Sequence, residues 1–121
     1  MRKKTILIID DEESYCRLLK LNIEDNDEYE AIYATDAPAG IGLVQTQKPD
    51  LILLDMRMPQ MSGLEALKQI KVIAPDVPVA IVSGVWDEQE AKSALQAGAY
   101  EYITKPVNFG YLRTAILVKL F

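Results

Sequence analysis

Five polar side chains that could support phosphoryl chemistry follow apolar runs in this 121-residue chain. Asp10 and Asp11 come directly after ILII, Asp55 directly after LILL, and Ser83 directly after VAIV. Lys105 follows the weaker run AYEYIT. Because an isolated charge avoids the protein interior, we expect each of these polar groups to stand at the tip of a buried strand. Carboxylates, a hydroxyl and a lysine at such tips could bind a cation and react with phosphorus.

Three carboxylates brought together repel one another, so the cluster would need a cation. Oxygen ligands, in a chain without histidine, favour Mg²⁺ or Mn²⁺ over zinc. A divalent cation and Lys105 together would balance the three negative charges. The same two cations can neutralise charge on phosphoryl oxygens, and a carboxylate that attacks phosphorus yields an aspartyl phosphate. This chemistry gives Asp55 a reason to lie at the end of a buried run.

The elements that position these groups alternate between two patterns. Unbroken apolar runs predict strands covered on both faces, and helical spacing lies between them. We predict strands near 5–10, 30–34, 51–55, 78–83 and 100–104. We predict helices near 13–25, 37–47, 63–74, 87–97 and 108–120. Gly40 and Gly42 weaken the second helix.

Five strand–helix units with right-handed crossovers predict an open, doubly wound α/β sandwich, (βα)5, with helices on both faces of a parallel sheet. Ligands in such sheets collect outside the carboxyl ends of the strands, where the strand order reverses. With the order 2-1-3-4-5, strands one and three flank that point, and the polar side chains border one cleft. No linker divides the sequence, so we predict a single domain over 1–121.

Composition excludes several classes of function. A net charge of −5 argues against direct nucleic-acid binding by this domain. The absence of histidine excludes Ser/His/Asp triads, Cys/His pairs and histidine-ligated metals. Cys16 is the only cysteine, and no apolar run is long enough for a signal peptide or a membrane span. We therefore expect a cytoplasmic protein that does not contact membranes.

Four motifs carry a resemblance to a known family over essentially the whole chain. They are IIDDEE, LILLDMRMPQMSGLE, VSG and AGAYEYITKP. In this order and spacing they resemble the CheY-like receiver domain of response regulators in bacterial two-component signalling, which has a flavodoxin-like fold. The resemblance implies that Asp55 accepts a phosphoryl group from a phosphohistidine. The donor would be a sensor histidine kinase or a histidine phosphotransfer protein, and the cofactor Mg²⁺.

The resemblance also implies a set of metal ligands. Asp11 looks like the direct carboxylate ligand, with Asp10 acting through water. Asp55 and the backbone carbonyl of Arg57 complete the protein ligands.

Further roles implied by the resemblance concern the ends of strands four and five. Ser83 would hydrogen-bond the phosphoryl group and Lys105 would pair with it. Tyr102 would turn inward when Ser83 is drawn to the phosphate, which switches the surface of helix four, strand five and helix five. The family commonly holds the bond before Pro106 in the cis form, the form that X-Pro linkages adopt most readily. In the loop after Asp55, we expect Pro59 and Gly63 to shape the loop and the start of the next helix.

Two positions depart from residue types that could assist hydrolysis. Arg57 lies two residues after Asp55, and Val85 lies two residues after Ser83. In the family these positions influence how water attacks the acyl phosphate. Neither side chain accepts a proton at neutral pH, so we predict a comparatively long-lived phosphorylated state.

The fifth helix has apolar residues on two sides. Phe109, Leu112, Ile116 and Leu120 form the predicted inner face. Four apolar residues lie outside that face: Tyr111, Leu117, Val118 and Phe121. A second apolar face favours a further partner, either another copy of the chain or a C-terminal output domain, although these residues could also border the core.

Two other functions are consistent with parts of the pattern. One is an interaction module that works without phosphorylation; the complete set of reactive residues argues against it. The other is a phosphohydrolase of the haloacid dehalogenase type, which uses a nucleophile on the first strand and a second acid two residues later. Here Asp55 falls on the third predicted strand and Arg57 occupies the place of that acid. We therefore predict a signalling switch that is not an enzyme beyond catalysing its own phosphorylation and dephosphorylation.

Overall fold

A computed structural model describes residues 2–121 as five strands alternating with five helices. The strands are β1 (Lys4–Ile9), β2 (Tyr29–Ala34), β3 (Leu51–Leu54), β4 (Val79–Ser83) and β5 (Glu101–Thr104). The helices are α1 (Glu13–Glu24), α2 (Ala37–Gln47), α3 (Gly63–Ile73), α4 (Glu88–Gln96) and α5 (Phe109–Leu120). All ten predicted elements are confirmed, and their ends agree to within one residue.

The strands form one parallel sheet in the order β2-β1-β3-β4-β5, as predicted. In the register of β1 with β3, Ile6 lies beside Leu51 and Ile9 beside Leu54. The residues that follow Ile9 and Leu54 therefore emerge at the same level of the sheet edge. This register brings Asp10 and Asp55 to neighbouring positions.

Alternate side chains of each strand enter two separate cores, because successive residues of a strand point to opposite faces. On one face, Ile6 and Ile8 of β1 join the core that includes buried residues of α1 and α5. On the other, Leu7 and Ile9 join the core that includes buried residues of α2, α3 and α4. The continuous apolar runs are thus explained by burial on both faces of the sheet.

The second helix forms despite its glycines. A Cβ atom on Gly40 would lie 2.5 Å from Cδ1 of Ile9, so the missing side chain lets α2 approach β1 closely. At Gly42 no atom lies within 4 Å of such a Cβ, and this glycine has no packing role of that kind. Of the two glycines that weaken the helix on propensity, Gly40 is therefore the one that permits its packing.

The fifth helix divides as predicted. Leu112 and Ile116 are buried, and Phe109 and Leu120 pack against the same core. Tyr111, Leu117, Val118 and Phe121 are exposed, Val118 by 73%. None of the helices within residues 2–121 is long and apolar enough to cross a membrane.

Candidate functional site

Asp55 lies immediately beyond β3, at the carboxyl edge of the sheet. Its backbone N–H donates to the carbonyl of Ile9 at 2.8 Å, which continues the pairing of β3 with β1 by one residue. Its side chain is almost completely buried, with the whole residue 5% exposed. The carboxylate is therefore held on a rigid part of the sheet with little access to water.

The loop beyond Asp55 returns closely to the strand at Gly63. The Gly63 N–H donates to the carbonyl of Met56 at 2.7 Å. A Cβ on Gly63 would collide with the Asp55 carbonyl oxygen and lie 2.5 Å from the Met56 Cα. Only glycine fits this approach, so Gly63 fixes the start of α3 against the site. Pro59 is exposed in the same loop and borders a cleft of about 210 Å³ that also includes Asp11.

Three carboxylates converge at this edge, as predicted. One oxygen from each of Asp10, Asp11 and Asp55 lies within 4.8 Å of the others. Asp10 and Asp55 are buried, whereas Asp11 is exposed. Hard oxygen donors at this spacing fit a Mg²⁺ or Mn²⁺ ion, which could hold them together by offsetting their repulsion. Burial, reinforced by the charge of Asp10, raises the pKa of the Asp55 carboxyl to about 7.

Lys105 reaches the cluster from the end of β5 and pairs with Asp10. Its Nζ lies 2.7 Å from Oδ2 of Asp10 and 3.3 Å from Oε1 of Glu12. Burial by itself would lower the pKa of the Lys105 ammonium, but the hydrogen bond and negative charge of Asp10 outweigh it and raise this pKa. The Lys105-Pro106 peptide bond is cis. The lysine is thus at the site, with Asp10 and Glu12 as its carboxylate partners.

Ser83 is fully buried at the end of β4. Its Oγ accepts a hydrogen bond from the Val85 N–H at 3.3 Å, and its carbonyl accepts one from the Lys105 N–H at 2.7 Å. The second bond ties the tips of β4 and β5 together. The sheet therefore delivers the hydroxyl and the lysine to the same edge as the acids.

Tyr102 lies on β5 and is partly buried. Its hydroxyl donates to the Val85 carbonyl at 2.9 Å, and its ring packs nearly perpendicular to the exposed Trp86 ring at a centroid distance of 5.6 Å. Tyr102 therefore contacts the loop between β4 and α4, which begins next to Ser83.

Arg57 contacts both Asp55 and a helix distant in the sequence. Its backbone N–H donates to Oδ1 of Asp55 at 3.3 Å. Its guanidinium reaches α4, where Nη2 lies 3.1 Å from Oε1 of Glu90. The metal-ligand role of the Arg57 carbonyl stays a prediction.

Three residues around the site were not identified by sequence reasoning. Glu12 receives the Lys105 ammonium, and its own N–H donates to Oδ1 of Asp10 at 2.9 Å. The Lys105 Nζ also lies over the face of the Tyr15 ring, 4.5 Å from the ring centroid. The acidic run DDEE was the available signal for Glu12. For Tyr15 and Glu90 the sequence carries no comparable local signal, because their partners are distant along the chain.

The sequence matches the family model of the response regulator receiver domain over residues 6–117. It is 37% identical over 105 residues to the alkaline phosphatase synthesis transcriptional regulatory protein PhoP of Bacillus subtilis, covering 87% of this chain and 43% of PhoP. It is 33% identical over 111 residues to the transcriptional regulatory protein ZraR of Escherichia coli, covering 92% of this chain and 25% of ZraR. The chain spans less than half the length of these relatives.

Solved structures agree with the sequence matches. A CheY-like response regulator receiver domain protein from Methanospirillum hungatei superposes with a TM-score of 0.93 at 32% identity, over 98% of this chain and 94% of that one. A receiver domain protein from Clostridium thermocellum superposes with a TM-score of 0.90 at 34% identity, over 97% and 94% of the two chains. The order of the strands, the acids at their tips and these matches lead to one conclusion: the chain belongs to the family of response regulator receiver domains.

Proposed function

We propose that this receiver domain is switched by phosphorylation of Asp55, with a phosphohistidine on a sensor histidine kinase or a histidine phosphotransfer protein as donor. One observation carries the proposal: the buried Asp55 carboxylate shares a cluster with Asp10 and Asp11, whose oxygens lie within 4.8 Å of one another. Lys105 is bound to the same cluster through Asp10. Because the chain has no histidine of its own, the donor would be another protein.

The transfer forms one bond and breaks one. An Asp55 carboxylate oxygen attacks phosphorus, and the bond between phosphorus and the donor's imidazole nitrogen breaks. The imidazole nitrogen keeps that electron pair and, with the other ring nitrogen protonated, leaves as neutral imidazole, while the phosphoryl group is carried by Asp55 as an aspartyl phosphate. The Lys105 ammonium, now on Asp10, would pair with the phosphoryl oxygens, and Ser83 would donate its hydroxyl to them. The domain would catalyse its own phosphorylation, with the phosphodonor as the other reactant.

The metal would be held by Asp10, Asp11, Asp55 and the backbone carbonyl of Arg57. A bound Mg²⁺ or Mn²⁺ supplies charge neutralisation to the carboxylates and to the phosphoryl oxygens. The exposure of Asp11 leaves room for water among the ligands, which Mg²⁺ commonly retains. The supporting observation is the donor set: within residues 2–121 the cluster consists of three carboxylates, with a lysine that offsets one charge.

The conformational response would begin at Ser83. When its Oγ turns to the phosphoryl group, the hydrogen bond from the Val85 N–H is lost. The same Val85 accepts the Tyr102 hydroxyl, so movement of this loop changes the support of the Tyr102 ring. We expect Tyr102 to move inward and the surface of α4, β5 and α5 to change with it.

The switched surface would act on a partner or on an attached domain. We propose that residues 1–121 form a single receiver domain. The exposed side of α5, with Tyr111, Leu117, Val118 and Phe121, would contact a second copy or a C-terminal output domain. The greater length of PhoP and ZraR supports an output domain in the natural protein. The acidic charge of this domain argues that any nucleic acid is bound elsewhere.

Intact mass tests the proposal directly. The protein and the Asp55→Asn variant would be incubated with acetyl phosphate and Mg²⁺, a donor that needs no partner protein. We expect the wild type to gain the mass of one phosphoryl group and the variant to gain none. A gain that persists in Asp55→Asn, or that occurs in neither protein, would contradict the assignment.

A further inference from the structure

The side chain of Arg57 is positioned by a residue on α4. Nη2 of Arg57 lies 3.1 Å from Oε1 of Glu90, although the two residues are far apart in the sequence. The pair joins the loop that carries Asp55 to the first turn of α4, where the Glu90 N–H is capped by Asp87. This connection is separate from the one that runs through Ser83 and Tyr102.

The Glu90 carboxylate depends on this pairing. Its second oxygen, Oε2, is buried and has no hydrogen-bond partner within residues 2–121. Arg57 is also its only salt-bridge partner in that part of the chain. Glu90 therefore loses a modest stabilising interaction, of the size of an exposed ion pair, if Arg57 leaves.

A phosphoryl group on Asp55 would offer the Arg57 guanidinium a second binding partner, in competition with Glu90. Its own N–H already contacts Oδ1 of Asp55 at 3.3 Å, so the long side chain starts next to the atom that would carry phosphorus. A phosphoryl group brings about two negative charges and three acceptor oxygens, and a guanidinium binds such a group through paired hydrogen bonds. The half-exposed salt bridge between Arg57 and one carboxylate oxygen of Glu90 is weaker than a contact between Arg57 and a phosphoryl group.

We propose that Glu90 is a positioning residue that holds the Arg57 guanidinium on α4 in the resting state and yields it to the phosphoryl group on Asp55. The exchange leaves Glu90 without its partner and thereby loosens the first turn of α4. Arg57 thus couples the phosphorylation loop to α4 through its side chain. This inference rests on the function proposed above.

The fluorescence of Trp86, the single tryptophan, can report a change at the start of α4. Trp86 lies one residue before the α4 cap Asp87, and its ring packs nearly perpendicular to the Tyr102 ring. Its fluorescence should therefore respond when the start of α4 changes. Beryllofluoride, which binds an aspartate as a mimic of the phosphoryl group, would be titrated in the presence of Mg²⁺, and its apparent dissociation constant would be read from Trp86.

A double-mutant cycle separates positioning from a general structural role. In Glu90→Gln the competitor for Arg57 is weakened, so beryllofluoride should bind about two- to fivefold more tightly, the range expected for an exposed ion pair. In the Arg57→Ala background the same change should have no effect. Glu88→Gln is the matched control, because Glu88 lies in the same turn of α4 but pairs with Lys92.

The outcomes are distinct. An affinity that is unchanged in Glu90→Gln, or that changes equally with and without Arg57, would overturn the role of Glu90. Unchanged affinity in Glu88→Gln together with tighter binding in Glu90→Gln alone would support it. A wild-type protein that binds no beryllofluoride and takes up no phosphoryl group from acetyl phosphate would overturn both this inference and the proposed function.

Discussion

Replacing Asp55 by asparagine should stabilise the metal-free protein. Burial and the charge of Asp10 raise the pKa of the Asp55 carboxyl from 3.8 to about 7. The ionised form is therefore disfavoured in the folded state relative to the unfolded chain. At pH 8 this shift corresponds to about 4 kcal/mol of lost stability, because each pKa unit is worth about 1.4 kcal/mol. Asparagine keeps the shape of the side chain and removes the charge.

The sign of the pH dependence follows from the raised pKa. At a pH well below 3.8 the carboxyl is protonated in both states, so no stability is lost. As pH rises from about 4 to 7, the unfolded chain releases the proton first and the wild type loses stability. The advantage of Asp55→Asn should therefore grow from about 2 kcal/mol at pH 5 to about 4 kcal/mol at pH 8.

Urea unfolding in the presence of a chelator, at pH 5 and pH 8, measures this difference. Asp27→Asn is the control, since Asp27 is exposed and lies away from the cluster. Saturating Mg²⁺ should reduce the advantage of the variant, because an ion that binds the folded wild type stabilises it. If Asp55→Asn were no more stable than the wild type at pH 8 without metal, the argument from burial and repulsion would be refuted.

Three further changes test other parts of the site. Gly63→Ala should lower the free energy of unfolding by about 1–3 kcal/mol, because the added Cβ collides with backbone atoms. Gly42→Ala is the control: its Cβ enters open space, so the change should be neutral or stabilising by up to about 1 kcal/mol. Urea titrations would measure both differences. Lys105→Met should slow phosphorylation by acetyl phosphate by about 100-fold, as followed by intact mass, and an unchanged rate would exclude the proposed pairing with the phosphoryl oxygens. Phosphate release should be slower in the wild type than after Arg57→Asn or Val85→Glu, and faster release in the wild type would contradict the predicted long lifetime.

Much of the fold was predictable because its signals are local. The apolar runs of β1, β3 and β4 each end in a polar group, and a parallel sheet with the order 2-1-3-4-5 brings those ends to one edge. The meeting of Asp10, Asp11 and Asp55 therefore followed from sequence pattern and topology together. Gly40 was harder to interpret, because helix propensity argues against it and only the contact with Ile9 shows its use.

The partners of long side chains could not be predicted. Lys105 was expected at the cleft, but its bonds to Asp10 and Glu12 depend on which rotamers the folded site permits. The contact between Arg57 and Glu90 joins the loop after β3 to the first turn of α4, which only the sheet topology brings together. Sequence spacing describes neighbours on one element, whereas these contacts are set by the packing of separate elements.

The division of the molecule between a sheet edge and helical faces has a consequence for engineering. The reactive groups occupy the ends of β1, β3, β4 and β5, and their backbone is fixed by strand register. The exposed residues of α5 lie on a different part of the chain and contribute none of these groups. On the proposed function, partner specificity could therefore be redesigned by exchanging the outer residues of α5, while the residues at the strand tips are left unchanged.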